Sequence, residues 1–169
     1  MRNLEAKFAL RDLERARQQA EAIGYRYRAT LVQRDTFFRV NEGKLKLREE
    51  ESGAGLIFYG RQDSRHLKLS NYKIVPIAEP EKTREMLAQA LGTIATVRKT
   101  RILMMRDHIR LHLDRVEGLG VYGEIEAVLG EDGDPEQSRA VVDELLSALQ
   151  IEHNKLIAES YFEMLRALK

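Results

Sequence analysis

The chain has 169 residues, of which 43% are hydrophobic and 33% charged, with no cysteine and no tryptophan. That length supports one domain with a real core. Lys and Arg total 28 against 27 Asp and Glu, a net charge of +1, which excludes a basic nucleic-acid binder of the usual kind and an acidic tail protein. Without cysteine there is no disulfide scaffold, thiol nucleophile or cysteine zinc site, and a reducing cytoplasm is the expected compartment. No apolar run approaches the roughly 18 residues of a transmembrane helix. Arg2, Glu5 and Lys7 interrupt the opening residues, so neither a membrane partner nor a signal peptide is expected.

Asn3 to Leu10 alternates, with Leu4, Ala6, Phe8 and Leu10 on one side and Asn3, Glu5 and Lys7 on the other. A period of two predicts a strand. Asp12 is placed to cap a helix from Leu13 to about Ile23, which Gly24 stops. Tyr25 to Val32 and Asp35 to Val40 read as two strands, rich in β-branched and aromatic residues. Asn41-Glu42-Gly43 forms a hairpin turn into a strand from Lys44 to Glu51. Ser52 to Gly55 turns the chain into Leu56 to Arg61, and His66 to Ile77 is a further strand. Glu79 to Leu91 is a helix with Pro80 in its first turn and Gly92 after it. Thr96 to about Asp107, His108 to Val116 and Val121 to Leu129 are strands. Asp134-Pro135-Glu136-Gln137 has capping-box spacing before a helix carrying Val141, Val142, Leu145, Leu146 and Leu149. A last helix is expected from about Asn154 to Leu168. The sum is about eight antiparallel strands with inserted helices, an α+β domain.

The strands carry charge on one face, several of them in rows of a single sign. Lys44, Lys46 and Arg48 share a face, as do Lys99 and Arg101, whereas Glu124 and Glu126 share another with no base between them. Glu5 sits with Lys7, His66 with Lys68 and Ser70, and Arg110 with His112 and Asp114. A half-buried sheet with a solvated polar face explains any one row. Sign segregation across the rows fits a second arrangement, in which the sheet closes with charge inward. Burial of those charges is then costly unless a polyanion and a metal neutralise them. Alternation alone does not choose between the two.

Asn3-Leu4-Glu5-Ala6-Lys7 resembles the E-x-E-x-K signature of the CYTH superfamily, which holds class IV adenylyl cyclases, thiamine triphosphatases and triphosphate tunnel metalloenzymes. Further segments resemble the family in order: Gln33 to Phe38 (Q-x-D-T-Y-F), Gly43 to Glu49 (G-R-L-K-L-R-E), Lys68 to Tyr72 (K-x-S-x-Y) and Val97 to Arg101 (V-x-K-x-R). Arg110 to Asp114 (R-I-H-L-D), Gly118 to Glu126 (G-L-G-x-F-x-E-I-E) and Ser160-Tyr161 continue the likeness to the end. The resemblance implies a single domain over residues 1–169: a closed eight-stranded antiparallel β-barrel, the triphosphate tunnel, with flanking helices and charged rows inward. It implies triphosphate binding by Lys7, Lys46, Arg48, Lys68, Lys99, Arg101 and Arg110. It implies that Glu5, Asp114, Glu124 and Glu126 hold Mg²⁺ or Mn²⁺ and serve catalysis. Lys and Arg suit phosphate, and carboxylate oxygens suit hard divalent cations. Asn3 stands where the signature has its first acid, which removes one charge from the metal region and implies a weaker second metal site.

The implied activity is that of an adenylyl cyclase, converting ATP to cyclic AMP and pyrophosphate. The alternatives are a triphosphatase acting on inorganic triphosphate, thiamine triphosphate or a nucleoside triphosphate, and a polyphosphate- or nucleotide-binding module without turnover. A nucleoside triphosphate or other triphosphate is the expected partner, and the chain is expected as a monomer or homodimer. His66 and His112 are candidates for proton transfer, with pairing to a carboxylate as the plainer role. Tyr59 and Tyr72 can stack a base or simply pack, and Arg61 can line the tunnel mouth. Met104 and Met105 are expected as core or rim, and Lys155 and Arg166 as solvated. The helix after Asp134 is expected to pack outside the sheet.

Overall fold

The computed structural model describes residues 2–60, 68–129 and 135–168. Its strands are β1 (Arg2–Ala9), β2 (Arg26–Phe38), β3 (Lys44–Glu50), β4 (Gly53–Tyr59), β5 (Lys68–Pro76), β6 (Thr93–Arg106), β7 (Ile109–Val116) and β8 (Gly120–Leu129). The helices are α1 (Leu13–Ala22), α2 (Pro80–Leu91), α3 (Pro135–Ala148) and α4 (Tyr161–Ala167). All strand pairs are antiparallel, in the order β1-β5-β4-β3-β2-β6-β7-β8, and β1 pairs with both β5 and β8. An antiparallel eight-stranded sheet with flanking helices is the α+β expectation met. Among the described residues no helix is long and apolar enough to cross a membrane.

Some expectations are corrected. The segments Tyr25 to Val32 and Asp35 to Val40 form one strand, β2. Gln33 and Arg34 carry no turn chemistry; they continue the ladder, Gln33 opposite Glu50 and Lys99, Arg34 opposite Glu49 and Arg98. The final helix is shorter than Asn154 to Leu168. A 3₁₀ turn at His153–Lys155 comes first. Leu156 then bridges to Phe8, and the Ile157 amide donates to the Lys7 carbonyl at 2.8 Å. Helix α4 begins only at Tyr161, where Ser160 and Glu163 form a reciprocal capping box.

The turn expected over Ser52 to Gly55 is also shorter, because β4 begins at Gly53 and pairs Gly53, Ala54 and Gly55 with Glu50, Glu49 and Arg48. Asp12 caps α1 through the amides of Glu14 and Arg15 at 2.9 and 3.2 Å, and Gly24 follows with φ +95°. Gly43 turns β2 into β3 at φ +69°, where a Cβ would stand 2.3 Å from the Tyr59 carbonyl oxygen. The expected capping residue Asp134, with Arg61 and His66, lies outside the described residues.

The two faces of the sheet have opposite fates. Leu4, Ala6 and Phe8 of β1, Ile109, Leu111 and Leu113 of β7, and Ile125 and Ala127 of β8 are buried under the helices. Ala16 and Ala20 of α1 and Val142, Leu145, Leu146 and Leu149 of α3 cover them, so α3 packs outside the sheet as expected. Met104 belongs to this core, whereas Met105 reaches the other face. A second cluster joins Phe37, Val97, Val116 and Tyr122 to Tyr161 and Phe162 of α4. There the Phe37 and Phe162 rings lie 4.6 Å apart. The charged rows therefore take the face away from α1 and α3, a choice that alternation leaves open, and α4 meets that face through Tyr161 and Phe162.

Candidate functional site

That face encloses a cavity of about 990 Å³. The charged residues reach it by strand alternation, because residues two apart share a face. Lys7, Lys46, Arg48, Lys99, Arg101 and Arg110 all line it, and so do Glu5, Glu124 and Glu126. The β5 backbone sets Lys68 opposite Glu5 in register, but the side chains of Lys68 and Asn3 lie outside the described residues.

One wall, from β2, β3 and β6, gathers cations around the buried Asp35, with Glu50 of β3 farther along it accepting from Gln33 Nε2 at 2.7 Å. Asp35 accepts from Arg48 Nε and Nη2, both at 2.8 Å, from Lys46 Nζ at 3.1 Å and from Lys99 Nζ at 2.9 Å. Burial alone would raise the Asp35 pKa, but these cations outweigh it and hold the carboxyl well below its usual range. Lys99 shows the reverse balance: burial pushes its ammonium down to about 7 despite the attraction of Asp35. Asp35 stands in the Gln33 to Phe38 segment, yet neither the charge rows nor the family resemblance gives it a role of its own. The available signal is an acid in mid-strand, where Asp is disfavoured, on the face shared by Gln33 and Phe37.

The opposite wall, from β7, β8 and β1, is acidic. Glu124 and Glu126 project from β8, and across the ladder they face Lys7 and Glu5 of β1. Lys7 Nζ lies 3.7 Å from Glu124 Oε1, and Arg110 Nη1 lies 3.3 Å from Glu126 Oε2. His112 stands between the two acids, its Nδ1 3.8 Å from Glu124 and its Nε2 3.9 Å from Glu126. Burial and then Arg101 lower the pKa of this imidazole, so it is neutral at neutral pH.

Arg101 joins the walls. Its Nε and Nη2 donate to Asp114 at 2.7 and 2.6 Å, and Nη2 also donates to Glu124 Oε2 at 2.7 Å. The Tyr161 hydroxyl donates to Asp114 Oδ2 at 2.8 Å. Asp114 has no solvent exposure, and both its oxygens are engaged. It thus stands behind Arg101 as an anchor, while Glu5, Glu124 and Glu126 face the cavity. Tyr161 is a second residue whose part its sequence context does not reveal; its hydroxyl is kept protonated by burial and by the nearby Glu124 and Asp114.

Hard oxygen donors on one wall are the right chemistry for Mg²⁺ or Mn²⁺. Among the described residues no three acids or histidines already converge as a metal-holding group. Near the cationic wall, Tyr59 and Tyr72 face each other with ring centroids 5.9 Å apart. Lys46 Nζ lies 5.2 Å from the Tyr59 ring. Lys155 and Arg166 are exposed, as expected.

The sequence profile of the CYTH domain matches residues 1–161. A Methanocaldococcus jannaschii protein provisionally named adenylate cyclase MJ0240 is 24% identical over 97% of this chain and 98% of its own length. Among solved structures, the PH1012 protein of Pyrococcus horikoshii superposes with a TM-score of 0.85 at 19% identity, covering 95% of this chain and 98% of that one. HpAC1 from Hippeastrum, a provisional adenylyl cyclase described as having a dominant triphosphatase activity, superposes at 0.72 with 16% identity, over 99% and 96% of the two chains. At these identities the structural likenesses establish the fold.

Proposed function

The chain belongs to the CYTH domain family, and on that premise we propose that its sheet works as a closed tunnel binding a triphosphate for metal-dependent turnover. The observation that carries this reading is that one cavity gathers Lys46, Arg48 and Lys99 on one side and Glu5, Glu124 and Glu126, among Lys7 and Arg110, on the other. A binding module needs only the first. In this reading Lys46, Arg48 and Lys99 take the phosphate oxygens from one side, and Lys7, Arg101 and Arg110 from the other. Lys68 belongs to the same set by its register beside Glu5. Glu5, Glu124 and Glu126 would hold the divalent cation, which when bound supplies charge neutralisation at phosphate and lowers the pKa of an attacking oxygen. Asp114 serves by fixing Arg101 through two hydrogen bonds, so the guanidinium is oriented before substrate arrives. Neutral His112 is the residue placed to accept a proton near the acidic wall.

The first reading of the reaction is adenylyl cyclisation: the ribose 3′-hydroxyl attacks the α-phosphorus and pyrophosphate leaves. The Tyr59–Tyr72 pair next to Lys46 supports it, since stacking faces beside the phosphate cations suit a nucleotide. The second reading is hydrolysis at the terminal phosphorus, supported by the triphosphatase activity ascribed to the Hippeastrum relative of the same fold. Product analysis separates them. Purified protein is incubated with Mg²⁺ or Mn²⁺ and, separately, ATP, inorganic triphosphate and thiamine triphosphate, and the products are resolved by chromatography and phosphorus NMR. Cyclic AMP with pyrophosphate establishes the cyclase. Orthophosphate without cyclic nucleotide makes the protein a triphosphatase, and no turnover of any of the three contradicts both.

A further inference from the structure

The cations of β3 and β6 converge on a residue outside the phosphate and metal sets. Asp35 is 2% exposed, and its two oxygens receive four donor contacts from Lys46, Arg48 and Lys99. Three positive charges around one negative charge leave the cluster cationic, as a polyanion site requires. They also make it unstable without that one carboxylate, because the three lie side by side in a buried wall. The Lys99 side chain is only 1% exposed, and the charged groups facing it are Asp35 of β2, Lys46 and Arg48 of β3 and Arg101 of its own strand. Val116, opposite it on β7, is apolar. Asp35 is therefore the sole anion in that set, against three cations.

We propose that Asp35 is a positioning residue, which gathers Lys46, Arg48 and Lys99 on one carboxylate and keeps the Lys99 ammonium charged for an arriving polyphosphate. The inference rests on reading the cavity as a triphosphate site. Asp35 does not touch the reacting atoms; it acts through the cations. Its consequence is a pH dependence of binding. Lys99 titrates near 7 in the free protein, and a bound polyanion favours its protonated form. Binding therefore takes up a proton above that pH, and affinity falls as pH rises through about 7. Removing the Asp35 charge lowers the Lys99 titration further and moves the fall to more acid pH.

The test is calorimetric titration of inorganic triphosphate, with chelator and without metal, from pH 6 to 8.5 in two buffers of different ionisation enthalpy. Wild-type protein is expected to bind more tightly at the acid end, with proton uptake just above neutrality. Asp35→Asn is expected to shift the midpoint down by about one unit or more and to weaken binding near pH 7 by about tenfold, since one pKa unit is a tenfold change. Asp35→Glu, which retains the charge, is expected to keep the wild-type midpoint, and Lys99→Met to abolish the step. A purely structural Asp35 would lower the folded fraction without moving the midpoint, and that result overturns the proposal. So does a pH step that survives in Lys99→Met, or an Asp35→Glu variant that behaves as Asp35→Asn. If Asp35→Asn does not fold, the other two variants decide. Absence of any triphosphate binding by wild-type protein would instead overturn the proposed function itself.

Discussion

The two walls of the cavity share one strand geometry and differ in how their charges are tied. On the β2–β3–β6 wall, three cations share one deeply buried acid. On the β7–β8–β1 wall, Glu124 meets Lys7 and Arg101, and Glu126 meets Arg110, with His112 between the acids. The first wall is short of negative charge. On the second, Glu124 takes a 2.7 Å hydrogen bond from Arg101, while the contacts at Lys7, Arg110 and His112 are 3.3 Å or longer. In the proposed reading, phosphate completes the wall short of anions, and the divalent cation is held among the carboxylates of the other. On that reading, substitutions on the two walls should separate binding from turnover.

The largest expected effect lies on the acidic wall. Glu126→Ala should lower metal-dependent turnover by about 10²–10³-fold while metal-free triphosphate binding, read by calorimetry, persists. Full activity of this variant with Mg²⁺ would remove Glu126 from the metal set. At the junction of the walls, Asp114→Asn leaves the buried Arg101 guanidinium without its charged partner. Breaking a buried pair in this way costs about 3–5 kcal/mol, to be read as a lower denaturation midpoint. An unchanged midpoint would mean that Glu124 and Tyr161 suffice to hold Arg101.

Both faces of the sheet are readable as patterns, but only the structure gives them a direction. The period of two in Leu4, Ala6 and Phe8 against Glu5 and Lys7 predicts a strand whichever face is buried. The helices decide, because Leu145 and Leu146 of α3 bury against the apolar rows and leave the charges to the cavity. The expected phosphate and metal residues are drawn from that alternation and from the family resemblance. Asp35 and Tyr161 are not, because their roles are set by partners 64 and 47 residues away in sequence. The last helix is shorter than expected for a local reason: apolar spacing continues through Leu156 and Ile157, yet these residues pair with β1. Ser160 and Glu163, three apart, are the stop-and-restart signal available in the sequence.

Smaller changes sharpen the contrast between the helix face and the cavity face. Gly123 lies under Phe8, where an added Cβ would come within 2.2 Å of the ring. Gly123→Ala should therefore cost about 1–3 kcal/mol by overpacking, seen as a lower melting temperature with triphosphate affinity of the folded protein preserved. A loss of affinity instead would tie the outer core to the site. The smallest effect is at the α4 cap. The Glu163 carboxyl is lowered to about 2, because Lys44, Ser160 and its amide outweigh burial. Its contribution to stability is present above the ordinary carboxylate range near 4.5 and is lost as pH falls towards 2. Glu163→Gln should melt slightly below wild type at neutral pH, and the difference should shrink across that interval. A pH-independent difference would assign the loss to packing.

The central claim is that triphosphate and metal meet in one cavity from opposite walls. Manganese titrated into protein saturated with inorganic triphosphate tests it directly, through paramagnetic broadening of the phosphorus resonances of the bound ligand. Wild-type protein is expected to broaden these resonances at lower manganese than Glu126→Ala does, while both proteins bind triphosphate. Equal broadening in the two proteins, or triphosphate that does not bind to wild type, would contradict the claim.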